Sequence, residues 1–281
     1  VKRLVLWNSE NIIKPIKDLN DEETEQLSIL LDSIERFMYV YYAKNSLCEN
    51  FLRFQKILND AKEDKILPAL VKDQVQVELQ NVLGAIRGYT DITAHTLSEI
   101  YGKESLIFED FKKLKSQAFD SNKSYRFIEA LRNYSQHRSV PISSIGFKLL
   151  EGSKIVEVLF RKDILLSLPK DKLSKKKKGA LDYDFNDNID VASNLTTMFG
   201  QLMQIHARIV AQCYNQECEK GTITAFLEYK KHLPGNGYSL LLADWKFDES
   251  ETVPVMDITG RPFRFPELEM ICNEILDNPL N

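Results

Sequence analysis

Apolar residues recur at helical spacing in several long stretches of the chain. Asn20 opens the run NDEETEQ, which supplies a capping side chain and acids for a first turn. Leu27, Leu30, Leu31, Ile34, Phe37, Met38 and Tyr41 follow at three- and four-residue steps, a stripe that continues to Leu52 and predicts a long amphipathic helix. A second stripe, Val75, Leu79, Val82, Leu83, Ile86 and Tyr89, predicts another long helix reaching toward Ile100. Gly84 and Gly88 fall inside it, where glycine costs helix propensity, and are expected to permit close packing.

Ser105 to Phe119 predicts a shorter helix. The turn DSNKS at 120–124 then leads into a helix that ends at or before Pro141, since proline disfavours helical geometry at the residue before it. The pattern changes at IGFKLLEGSKIVEVLF (145–160), where β-branched and aromatic runs flank a Glu-Gly-Ser turn and predict a hairpin. Residues 168–188, LPKDKLSKKKKGALDYDFNDN, are charge-blocked and predict a polar connection. Leu195, Met198, Phe199, Leu202, Ile205 and Ile209 restore a helix over about 189–218. Beyond it come a strand at 238–247, an extended Val253-Pro254-Val255 segment, a turn at Thr259-Gly260 and a final helix from Glu267 to Leu276.

The fold class expected is mainly α: a helical bundle over residues 1–216 with a β-hairpin inserted near 144–166, and a small C-terminal α+β element over 217–281 packed on it. At 281 residues, 43% hydrophobic and 28% charged, the chain can bury a substantial core and lies far from disordered compositions. A net charge of −4 does not suggest wholesale coating of nucleic acid, though a local basic patch remains compatible with binding it. The opening VKRLVLWNSE lacks the features of a signal peptide, and no apolar run approaches a membrane span, so the expected location is cytoplasmic with no membrane partner.

Several classes of chemistry have no motif here. The sequence contains no GxxxxGK[ST] loop, GxGxxG turn, HExxH pair or GxSxG elbow. The four cysteines are spaced for neither a disulfide framework nor a zinc ribbon, and reduced buried thiols are expected. The DYDFNDN run at 182–188 has acids spaced as in a calcium loop, but Asp187 stands where that loop needs glycine and Ser193 where it needs glutamate. His95 and Glu99 share a helix face at i, i+4, yet two ligands do not make a metal site, and none is expected. His206 reads as a hydrogen-bonded core histidine and His232 as a loop residue. Lys175, Lys176, Lys177 and Lys178 read as a solvated segment or as an arm for an RNA backbone, since lysines neutralise phosphates without regard to sequence.

One hexapeptide remains. Arg132-Asn133-Tyr134-Ser135-Gln136-His137 ends a helix in an all-helical setting of about residues 20–216, and it resembles the R-x(4–6)-H signature of HEPN domains. The resemblance implies a HEPN-like helical bundle and, as the family goes, a metal-independent ribonuclease active as a homodimer, with no cofactor. Such proteins serve in toxin–antitoxin, abortive-infection and CRISPR-associated defence, so an antitoxin or defence-system protein is an implied partner. On that reading Arg132, Asn133 and His137 carry the site and Tyr134 helps order it. A tyrosine two residues after the histidine, present in one family variant, is replaced here by Ser139.

The chemistry suits these residue types. Metal-free cleavage has the RNA 2′-OH attack the adjacent phosphorus; histidine titrates near neutrality and can move the proton, while arginine stays cationic and can grip two phosphate oxygens. On an ideal helix positions 132 and 137 lie about 140° apart, so they share no face; Asn133 and His137 do. Convergence needs a distorted last turn or a cleft pooled across an isologous two-fold. Two other readings stand beside it. Arg132 can instead pair with Glu129 and His137 with terminal carbonyls, leaving a non-catalytic module that binds nucleotide, RNA or protein. A scaffold or immunity protein would use the C-terminal element and Trp245 as its interface.

Overall fold

The computed structural model describes residues 2–8, 13–135, 142–150, 153–168, 175–219, 238–244 and 260–263. It is mainly helical, with a small three-stranded antiparallel sheet among the helices. The chain divides into two compact units, Val40–Ile209 and Val1–Tyr39 with Val210–Asn281. The reason lies in strand pairing: β1 (Lys2–Asn8) hydrogen-bonds to both β2 (Ile13–Asp18) and β6 (Tyr238–Asp244), which joins the two ends of the sequence in one unit.

In that unit the antiparallel order is β2-β1-β6-β7, with β7 at Gly260–Phe263. Both edge strands carry a proline, Pro15 and Pro262. Proline cannot donate to a ladder, so it belongs on an edge and blunts further pairing there. The strand expected at 238–247 is present as β6; the Val253-Pro254-Val255 segment, Thr259 and the helix expected at 267–276 lie outside the described residues. Helix α1 (Asp21–Lys62) starts on a reciprocal cap: the Asn20 side chain accepts from Glu23 N–H (2.8 Å) and the Glu23 carboxylate accepts from Asn20 N–H (3.1 Å).

The other unit holds the remainder of the helical core. Helix α2 (Pro68–Tyr101) starts on proline and stops at Gly102, whose φ of 88° is the left-handed backbone glycine tolerates. Helix α3 (Leu106–Ser121) is capped by the Ser105 hydroxyl, and α4 (Lys123–Ser135) by the Asn122 side chain, which accepts from Ser124 and Tyr125 N–H. Val75, Leu79, Val82, Leu83 and Ile86 of α2 are fully buried, as their spacing requires. Gly84 and Gly88 do not mediate a close approach: a Cβ at either would meet nothing within 4 Å.

The expected hairpin strands form as β3 (Ser144–Leu150) and β4 (Ser153–Arg161), paired antiparallel with Leu150 opposite Ser153. A third strand, β5 (Asn188–Asp190), pairs antiparallel with β4, setting Phe160 opposite Ile189. Helix α7 (Val191–Glu219) follows directly, and Phe199 stacks on Phe51 of α1 with centroids 4.0 Å apart.

The stretch 168–188, expected as a polar connection, instead contains a helix, α6 (Lys175–Asp184), and a short helix, α5 (Lys162–Leu166), precedes it. Buried Leu165 and Leu181 anchor them. Arg126 of α4 secures the end of α6, donating through Nε and Nη2 to Asp184 (2.9 and 2.7 Å) and through Nη1 to the Phe119 and Asp120 carbonyls that finish α3. Lys162 donates to the Phe185 carbonyl (2.8 Å) and pairs with Asp182 (2.8 Å). Among the described residues no helix is long and apolar enough to cross a membrane.

Candidate functional site

Helix α4 has two faces of different character. Phe127 and Tyr134 set their rings edge-on to Phe160 of β4, with centroids 6.1 and 6.4 Å away, and Ile128 and Leu131 are wholly buried. Tyr125, Glu129 and Arg132 recur at i, i+4 and i+7, forming a polar stripe on one face. That spacing, legible in the sequence, organises the site more than the hexapeptide does.

Arg132 donates through Nη2 to the Glu129 carboxylate at 2.9 Å, with side-chain exposures of 15% and 13%. Its Nη1 lies 3.4 Å from the Thr90 hydroxyl of α2, and Nη2 lies 3.5 Å from the Asn133 side-chain oxygen, both long contacts. Nε is buried and has no hydrogen-bond partner among the described residues. The Glu129 pairing foreseen as a surface contact is therefore made in a largely desolvated position.

Tyr125 and Lys115 feel the charges of this pair. The Tyr125 hydroxyl is buried without a hydrogen bond, and burial, then the Glu129 charge, pushes its pKa up while Arg132 opposes the shift. Thr93, one turn along α2 from Thr90, also buries an unpartnered hydroxyl. Lys115 of α3 feels Glu129, Arg132 and Asp91 electrostatically; burial lowers its pKa, with Arg132 adding to the effect and the two acids resisting it. Spacing could not have revealed Thr90 or Lys115, because they belong to other helices, α2 and α3.

The remaining candidates are placed as follows. Asn133 is half-buried beside Arg132, whereas Tyr134 packs into the core on the side of β4. Gln136, His137, Ser139 and Pro141 lie outside the described residues, as do His232 and Trp245. Lys178 is not a solvated arm: its amine donates to the Leu166 carbonyl (2.6 Å) and to the Leu168 carbonyl, satisfying the end of α5. Lys175, Lys176 and Lys177 form the first turn of α6.

His206 is buried against Tyr89, its Nδ1 3.2 Å from the phenol oxygen, as a core histidine should be. His95 and Glu99 form an exposed pair at 3.4 Å. Cys213 is buried, and Cys48 lies 3.9 Å from the Met203 sulfur. Among the described residues no cluster of three or more His, Cys, Asp or Glu side chains could hold a metal ion. No family model, curated protein or solved structure matches this chain.

Proposed function

We propose that this chain is a HEPN-type, metal-independent endoribonuclease, a bacterial defence or toxin component that works as a homodimer. The observation that supports it best is the position of Arg132: a guanidinium at the end of α4, beside Asn133, in a largely desolvated setting where its charge acts more strongly than in water. His137 takes the proton from the RNA 2′-OH. The 2′-oxygen forms a bond to phosphorus, the bond to the 5′-oxygen breaks, and that oxygen gains a proton as a 2′,3′-cyclic phosphate forms. Arg132 stabilises the charge gathering on the phosphate oxygens, and Asn133 positions the group. Lys175, Lys176 and Lys177, at the start of α6, contribute to holding the RNA backbone; Lys178 is already committed to α5.

The end groups of the products test the mechanism. Mass spectrometry of a cleaved oligonucleotide should find 2′,3′-cyclic phosphate and 5′-hydroxyl termini. Products with 3′-hydroxyl and 5′-phosphate termini would exclude 2′-OH attack.

A second reading has one specific observation in its favour. Glu129 already neutralises Arg132, as suits a non-catalytic module that binds RNA, nucleotide or protein through the same face. It predicts RNA binding without cleavage, and affinity unchanged by His137→Ala.

A further inference from the structure

We propose that β3 is a dimerisation edge: two copies of this chain pair β3 with β3, antiparallel, about a two-fold axis at Phe147. The inference needs a second copy but no catalysis, so it goes beyond the nuclease reading and is tested apart from it.

Among the described residues, three of the four sheet edges are blunted, β2 and β7 by proline and β5 by its length of three residues. β3 is the exception. It runs seven residues without proline, and among the described residues only β4 pairs with it. The Val158 N–H donates to Asp190 on the β5 side, so by the alternation of an antiparallel ladder Ile155, Glu157 and Leu159 turn their backbone groups toward β3. The bond from Ser143 N–H to the Leu159 carbonyl (2.8 Å) agrees. Their partners Ser144, Gly146 and Lys148 are thereby used inward, and the N–H and C=O groups of Ile145, Phe147 and Leu149 point outward along the edge.

This edge is complementary to itself. Centring the two-fold on Phe147 overlaps the whole strand and pairs every outward-facing residue, Phe147 with the partner's Phe147 and Ile145 with the partner's Leu149. These side chains alternate onto one face, where Phe147 is 45% and Leu149 80% exposed in the single chain. The opposite face supplies charge complementarity. There Gly146 meets the partner's Lys148, and Glu157 stands next in the same row. The Glu157 carboxylate leans over that glycine: Oε1 accepts from Lys148 of its own chain (2.7 Å), and Oε2 would lie 3.5 Å from a Cβ at Gly146. Two strand spacings are about 10 Å, a gap that a lysine and a glutamate span between them when only glycine intervenes. The two-fold makes the contact twice. A register centred on Lys148 would instead set that lysine against the partner's Lys148, which like charges oppose.

A strand pair of this length is a small interface, so the dimer is expected to be weak, in the micromolar range. Sedimentation velocity without RNA, from about 1 to 200 μM, tests it on wild type, Leu149→Pro, Lys148→Glu and the exchange Lys148→Glu with Glu157→Lys. Wild type should dimerise reversibly. Leu149→Pro removes an outward N–H without touching the β4 ladder and should stay monomeric. Lys148→Glu should weaken association about tenfold, and the exchange should restore it, which also shows that the variant chain folds. Monomeric wild type at every concentration would overturn the β3 interface and the homodimer together, and cleavage assayed on the same samples judges the nuclease separately. A wild-type dimer that Lys148→Glu leaves unchanged, or that the exchange fails to restore, would overturn the β3 interface and leave the homodimer standing.

Discussion

Arg132 and Glu129 pair across 2.9 Å, one turn apart on α4, in a position where both side chains are more than four-fifths shielded from water. Removing the carboxylate leaves the guanidinium, among the described residues, with only long contacts to Thr90 and Asn133. Glu129→Ala should therefore lower stability by about 1–3 kcal/mol, and Glu129→Gln, which keeps an acceptor, by less. Urea unfolding midpoints check this; equal midpoints for wild type and Glu129→Ala would show that the pair contributes nothing to the fold.

Arg126 binds two helix ends at once, Asp184 at the close of α6 and the Phe119 and Asp120 carbonyls at the close of α3. Alanine there strips donors from a largely buried carboxylate and two carbonyls, and should cost about 2–4 kcal/mol. Lysine cannot reproduce the fork, so Arg126→Lys should recover less than half of the loss. Thermal or urea melts of the two variants measure the difference.

Gly84 and Gly88 pay the conformational cost of glycine in mid-helix with no packing return, since a Cβ has open space at both. Alanine at either position should raise stability by about 0.5–1 kcal/mol. Destabilisation in a urea melt would mean that something approaches α2 closely at that point.

Asp190 accepts N–H bonds from Val158, Ala192 and Ser193, tying β4 to the start of α7, yet burial outweighs them and raises its pKa. The folded state then holds the proton more tightly than the unfolded chain. Its contribution to stability should fall as pH rises from about 4, the unfolded value, through the higher folded value, and stay level above it. The stability difference between wild type and Asp190→Asn, followed from pH 3 to 7, should decline and then flatten. A difference that grows with pH would reverse the sign.

Helices set by their own sequence were legible. The stripes of α1, α2 and α7, the cap at Asn20 and the pairing of β3 with β4 are local features, and local features carry their own signal. Features set by distant partners were not. The run Leu4-Val5-Leu6-Trp7 has the composition of a strand, but only pairing with Leu242, Leu241, Leu240 and Ser239, far along the chain, makes it the centre of a sheet. The lysine run reads as solvated until Lys178 finds the α5 carbonyls and Leu181 finds the core. In the site, the Glu129–Arg132 pair was foreseeable from i, i+3 spacing, whereas its burial and the approach of Lys115 depend on how α2 and α3 pack against α4.

The most direct test of the nuclease account is incubation of a mixed structured RNA in EDTA with wild type and His137→Ala, matched for folding and oligomeric state. The account predicts cleavage by wild type and its loss in the variant. Equal cleavage by both would contradict the role of His137, and intact RNA with both would contradict the nuclease itself.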